Sequence, residues 1–343
     1  MSQCTWHIHS PERNTLLLAL KKALNDRPVA APFWACLQVC DLEKLAELVD
    51  MAKVTPEPIF ELLEKSCLSI PLNWMELLPY GDFADAPPPD ETTDSISVAH
   101  RLTLERDQTT CLLSRDYSLD IVNVVPVSLV KCHTHNPTDE AIPEFWQMLS
   151  FFFTKDRIAK WKLAIPGVND NVAGCRNQLC VAARIKWRWR SGLLAVMPVD
   201  FADENTLVAD FFWLERPKHC RSQLIDILQT PHVSEEPFGV KGCRGIWVFD
   251  PDQEPVPLQD EDVFYIKTHD PITHPLPNFE LLEMHWRLNR IVSMSGAGTI
   301  YDTCGPIRRN SMDPLGQPRA RQFLSEPIDD SLNLEELPNT QSA

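Results

Sequence analysis

"LLAVMPVDFADENTLVADFFWL" (193–214) reads as a strand pair. "LLAVMPVDF" (193–201) and "TLVADFFWL" (206–214) are apolar or alternating, and the polar "ADEN" (202–205) separates them. Downstream, "RGIWVFD" (244–250) and "DVFYIKTHD" (262–270) read as two further strands. Helical periodicity closes the patterned part of the chain in "PLPNFELLEMHWRLNRIVSMSGAG" (275–298). Asn278 is its natural N-cap, and Glu280 and Glu283 lie near the start, where the helix dipole favours them. Leu281, Met284, Leu288 and Val292 line one face, and Gly296 supplies the stop. Strands and helices that do not alternate as βαβ units point to an α+β fold.

The sequence upstream is helical first. "NTLLLALKKALNDR" (14–27) and "DLEKLAELVDMAKV" (41–54) carry apolar residues at three- and four-residue spacing. "TPEPIFELLEKS" (55–66) begins another helix, with Thr55 as N-cap and Pro56 in the first position. This defines a helical N-terminal region over 1–82. "FADAPPPDETTDS" (83–95) marks a proline- and acid-rich linker, drawn over 83–98. "RLTLERDQTTCLLS" (101–114) suggests strands. "DEAIPEFWQMLSFFF" (139–153) suggests a helix with Phe145, Leu149 and Phe152 on one face, and "TKDRIAKWKLAI" (154–165) another, capped by Thr154. "GVNDNVAG" (167–174) has turn chemistry. A single domain over 99–302 follows, then a tail over 303–343 whose composition suits disorder.

Bulk properties narrow the function classes. The 343 residues suffice for two ordinary domains, and 44% hydrophobic residues can build a core. A net charge of −16 works against phosphate binding, so nucleic acid is disfavoured unless a local basic patch offsets the global field. No stretch reaches the roughly 18 apolar residues of a membrane span, and the N-terminus lacks the pattern of a signal peptide. These features predict an intracellular protein, cytoplasmic or nuclear. The eleven scattered cysteines then read as reduced thiols, mostly buried.

Four segments carry a resemblance. "CLLSRDYSLDIVNVVPVSL" (111–129), "EFWQMLSFFFTKDRIAKW" (144–161), "NQLCVAARIKWRWRSGLLAVMPV" (177–199) and "HPLPNFELLEMHWRLNRIVSMSGAG" (274–298) resemble, in order, four motifs of the HNH nuclease-domain proteins abundant in filamentous fungi. The resemblance covers some two-thirds of the chain and implies a ββα-metal (HNH, or His-Me finger) core embedded in extra strands and helices. In such a site a His at a strand end takes a proton from water, an Asn fixes the loop, and a His on the following helix helps hold a divalent metal.

Two of those three positions depart from the pattern. Asn123 stands where the resemblance places the general-base His, and Lys186 where it places the helix His; Asn177 matches the middle Asn. An amide has no titratable acceptor near neutral pH, and an ammonium has no lone pair for a metal. The resemblance therefore implies a catalytically degenerate scaffold with a binding or assembly role, no resident cofactor, and an unknown protein partner. One alternative is an active metal-dependent enzyme, a nuclease or a repurposed reaction, possible in a fungal biosynthetic setting. It would use Asp120, His133 and His135 as substitutes, with a divalent metal only if the site has been rebuilt. Another is a nucleic-acid binder without cleavage, using Arg184, Arg188 and Arg190, which interleave with Trp187 and Trp189. On a helix, residues two apart do not share a face, so that alternation makes no single stripe.

Overall fold

The computed structural model describes residues 10–54, 58–77, 93–126, 128–130, 143–167, 171–214, 216–231, 246–249 and 254–298. It is a mixed α+β structure with small antiparallel sheets. Helices α1 (Pro11–Ala23), α2 (Ala31–Val39), α3 (Leu42–Val54), α4 (Pro58–Ser66) and α5 (Ser69–Trp74) build the N-terminal part, interrupted by the two-residue strand β1 (Val29–Ala30). Then come α6 (Thr93–Arg106), strand β2 (Leu119–Asn123), α7 (Pro143–Ser150), α8 (Lys155–Ala164) and α9 (Asn171–Arg176). Strand β3 (Gln178–Ala182) runs directly into α10 (Ala183–Arg190). Strands β4 (Leu194–Asp203), β5 (Thr206–Trp213), β6 (Leu224–Ile225), β7 (Trp247–Val248), β8 (Val256–Pro257) and β9 (Val263–Lys267) precede the last helix, α11 (Phe279–Met294).

The expected hairpin is β4–β5, and β9 adds to its far edge in the order β4-β5-β9, all antiparallel. "RGIWVFD" contributes only the short β7, paired with β8. Helix α11 is the organising rod. Asn278 caps it as its sequence indicates, its Oδ1 accepting from the backbone N–H of Glu280 (2.9 Å) and Leu281 (3.2 Å). Leu281, Met284, Leu288 and Val292 are all buried. The helix packs against β4, α2, α5 and α8, so one apolar core runs from Leu17 in α1 to Ala297 beyond α11. All nine residues of α2 are buried, as expected of a helix apolar on every side. Polar contacts fasten the same elements. Arg157 of α8 grips Asp41 through Nε at 3.0 Å and meets Glu283 of α11, whose other carboxylate oxygen accepts from Trp161 Nε1 at 2.8 Å.

Helix α6 corrects the sequence reading. It starts at Thr93, inside the stretch drawn as linker to 98, and runs through "RLTLER", read as strand. The reason is its buried stripe: Ala99, Thr103 and Arg106 at helical spacing, two of them polar. Leu102 and Leu104 give the segment an apparent two-residue alternation, while the helical face hides behind a hydroxyl and a guanidinium. Residues 171–174, read as turn, open α9. Thr55, Pro56, the rest of the linker and the tail over 303–343 lie outside the described residues.

His285 of α11 is completely enclosed. Trp189 stacks on it with ring centroids 3.9 Å apart, and Asn289 Nδ2 donates to its Nε2 at 3.0 Å. That amide is oriented by Trp74 Nε1, which donates to Asn289 Oδ1 at 2.7 Å, and by Leu194 O, which accepts from Nδ2 at 2.9 Å. Nε2 is thus the acceptor, and the ring proton sits on Nδ1. Burial pushes the His285 pKa down to about 3. The unfolded chain therefore takes up this proton first as pH falls. The stability is complete above the unfolded value of about 6.5 and declines by about 1.4 kcal/mol per pH unit below it. Urea unfolding at pH 7 and pH 5 should show a loss of about 2 kcal/mol from this group. His285→Phe should lose correspondingly less between the same two pH values.

Candidate functional site

Strands β2 and β3 pair antiparallel over their full length, from Leu119↔Ala182 to Asn123↔Gln178. The β-branched Ile121 and Val122 suit the first strand, which ends at Asn123. Helix α10 leaves β3 without a loop; Ala182 stands at its N-cap and provides no side-chain bond. Ile185 and Trp189 anchor the helix in the core. Gly192, at φ +67°, turns the chain from α10 into β4, and a Cβ there would lie 2.6 Å from Val292 Cγ1.

Asn177 sits just before β3 and clamps the loop after β2. Its Oδ1 accepts from Val125 N–H at 2.8 Å, its Nδ2 donates to Val125 O at 3.0 Å, and its own carbonyl accepts from Val124 N–H at 2.7 Å. Asn123, at the strand end, is held from two sides. Gln178 Nε2 donates to its Oδ1 at 3.4 Å, and Trp189 Nε1 donates to its backbone oxygen at 3.0 Å. Lys186 reaches across from α10 to β2, where Nζ donates to Asp120 Oδ1 at 2.7 Å. Asn177 thus secures the loop, Asn123 joins the polar contacts beneath α6, and Lys186 and Asp120 pair with each other.

A second set of residues, not indicated by the sequence, supports β3. Arg106 is fully buried at the end of α6. It donates to Gln178 O (2.7 Å), Cys175 O (2.9 Å), Pro275 O (3.1 Å) and both carboxylate oxygens of Asp107. Asp107 Oδ2 also accepts from Cys180 N–H at 2.8 Å, and Thr103 donates to Gln178 Oε1 at 3.1 Å. Burial works to lower the Arg106 pKa, but the neighbouring Asp107 carboxylate raises it overall, so the charge stays. The signal lay in "ERDQ", where a cation and an acid adjoin, but nothing in sequence separates such a pair from a surface one. His100 was likewise missed. It stands one turn before Thr103, and its pKa is lowered by burial, partly offset by Asp120 and further lowered by Lys186.

The cations of α10 are largely spoken for. Arg184 faces Asp116 at 3.5 Å and lies over the Phe249 ring, Lys186 holds Asp120, and Arg190 meets Glu76 at 3.2 Å. Arg188 donates back to Arg184 O at 3.1 Å. Paired with acids in this way, Arg184 and Arg190 do not present the bare cationic surface that phosphate contacts require. Cys111, Cys175 and Cys180 are buried free thiols, and burial raises the pKa of Cys175 and Cys180. Among the described residues no group of three or more His, Cys, Asp or Glu is placed to hold a metal ion. His133 and His135 lie outside the described residues, so Asp120 is the one substitute candidate whose surroundings are visible, and its carboxylate is engaged by Lys186. No helix among the described residues is long and apolar enough to cross a membrane.

No family model, curated protein or solved structure matches this chain.

The geometry ranks these contacts. Asn177→Ala leaves a buried N–H and a buried C=O unpaired and should cost about 2–4 kcal/mol in urea unfolding. Lys186→Met should cost under about 1 kcal/mol, because the Lys186 and Asp120 side chains are 39% and 35% exposed and water screens their attraction.

Proposed function

We propose that residues 119–190 form a degenerate ββα unit of the HNH nuclease type, in which the scaffold persists and the phosphodiester chemistry has been lost. The protein then serves a binding or assembly role. Three features support this reading. A strand pair runs directly into a helix; an asparagine before the second strand fixes the loop after the first; and the two positions expected to carry histidines hold Asn123 and Lys186.

The observation that carries the reading is the Lys186–Asp120 contact at 2.7 Å. A divalent cation near α10 would meet an ammonium, which repels it and offers no lone pair. The Asp120 carboxylate is already engaged by that ammonium. Asn123 cannot accept a proton from water near neutral pH, so both chemical roles fail together. The nucleic-acid reading ranks below a protein partner, since two of the three arginines proposed for it are paired with acids and the chain as a whole carries −16.

The test is thermal stability with Mg²⁺, Mn²⁺, Ni²⁺ or Zn²⁺, run on the native chain and on the Asn123→His/Lys186→His double variant. A metal that binds only the folded state adds about 2.7 kcal/mol at a hundredfold excess over its Kd. The native chain should not shift, and the double variant should gain stability. A shift in the native chain would overturn the reading and direct attention to Asp120, His133 and His135.

A further inference from the structure

A cleft of about 260 Å³ lies between α2, the C-terminal end of α11 and the chain on either side of β6. Its base belongs to the core, since Trp34 of α2 and Ser293 and Met294 of α11 are buried. Its sides are tied in place. Trp34 Nε1 donates to Gln229 O at 3.1 Å, His219 Nε2 donates to Met294 O at 2.7 Å, and Ala31 N–H donates to Gln223 O at 3.0 Å. The His219 and Trp34 rings meet edge to face, with centroids 5.6 Å apart. Gly296, at φ +72°, lets the connection from β5 to β6 lie close against the end of α11, where a Cβ would stand 2.7 Å from Arg221 N. The cleft is thus built by the fold itself, as ligand sites usually are.

The polar groups that line it are specific in kind. A carbonyl only accepts, so His219 carries its proton on Nε2, which leaves Nδ1 with a lone pair. Burial lowers the His219 pKa, with the Met294 bond acting in the opposite sense, so the ring is neutral at pH 7. Lys218 is then the one charged side chain in the lining, and it makes no ion pair among the described residues. The side-chain amides of Gln223 and Gln229 also line the cleft and make no hydrogen bond among the described residues.

We propose that this cleft binds a small monocarboxylate that also carries a hydroxyl donor. The Lys218 ammonium takes the carboxylate, the Nδ1 lone pair of His219 accepts from the hydroxyl, and the two amides serve either group. Trp34, Pro217 and Met294 give apolar contact to the rest of the molecule. The same groups count against neighbouring classes. One ammonium balances one negative charge, whereas a phosphate monoester near neutral pH carries about 1.5 to 2. Phosphate oxygens are mainly acceptors, so the Nδ1 lone pair opposes them. A neutral ligand leaves the ammonium without a counter-charge. The volume lies just under the roughly 300–1,000 Å³ of usual ligand sites, which suits a small molecule and not a segment of polymer.

The −16 of the whole chain opposes an anion at long range, which keeps the affinity modest. No residue of the cleft falls within 119–190, so failure here leaves the reading of the ββα unit untouched.

The experiment is isothermal titration calorimetry of the full chain at pH 7 with mandelate, a small hydroxy acid. The native chain should bind it with a Kd of about 1 mM. Phenylacetate, which lacks only the hydroxyl, should bind about tenfold more weakly. Methyl mandelate, which lacks the charge, and inorganic phosphate should not bind over the same range. Lys218→Met should weaken mandelate binding about tenfold, with an unchanged melting temperature because Lys218 is exposed. Arg221→Met removes a cation of the same connection that does not line the cleft, and should bind mandelate as the native chain does. A native chain that gives no saturable heat with mandelate up to about 20 mM overturns the proposal. So does Lys218→Met binding that is undiminished, and so does phenylacetate or phosphate that binds as tightly as mandelate.

Discussion

Arg106 carries five N–H donors into the buried interior, and every one of them finds an acceptor. Two go to Asp107, and the other three go to backbone carbonyls of Cys175, Gln178 and Pro275. Those carbonyls belong to three separate pieces of chain: the end of α9, the start of β3 and the approach to α11. A guanidinium is planar and its fork is rigid, so satisfying all five donors fixes the three pieces relative to α6 in one arrangement. Breaking a buried ion pair by removing one partner generally costs about 3–5 kcal/mol, because the other charge is stranded. The arrangement is therefore steeply favoured over any near alternative.

The candidate site inherits its geometry from that constraint. With Gln178 held by Arg106 and Thr103, β3 begins at a fixed point, and Asn177 immediately before it is positioned to clamp Val125. The loop after β2 is then set, and with it Asn123. On the other side, Trp189 joins α10 to Asn123 through its indole N–H and to α11 through its stack on His285. Polar residues carry each joint, and each is nearly fully satisfied. The exception is Nδ1 of His285, a buried donor for which no hydrogen-bond partner is present among the described residues. Burial of the same ring is why α11 carries a pH-dependent stability.

Sequence reading found the elements whose physics is local. The β4–β5 hairpin, the capped face of α11 and the Thr154-capped α8 were legible because apolar periodicity and capping residues act within a few positions. The stripe of α6 was not legible, since its inward face carries Thr103 and Arg106, which local pattern assigns to the surface. The pairings of Lys186 with Asp120, of Arg190 with Glu76 and of Arg184 with Asp116 were equally hidden. Each depends on which segments the fold brings together, over separations of 66 to 114 residues for the outer two cases that matter most to α10. The basic look of "ARIKWRWR" in sequence is mostly neutralised in three dimensions for this reason.

Under the proposed reading, these pairings go with a site that no longer cleaves phosphodiesters. A nicking assay addresses this directly: supercoiled plasmid incubated with the full native chain and Mg²⁺ or Mn²⁺. The proposed reading predicts that the plasmid stays as supercoiled as the metal-only control. Nicking above that control, abolished by Asp120→Asn, would contradict the loss of chemistry and restore the site as an active one.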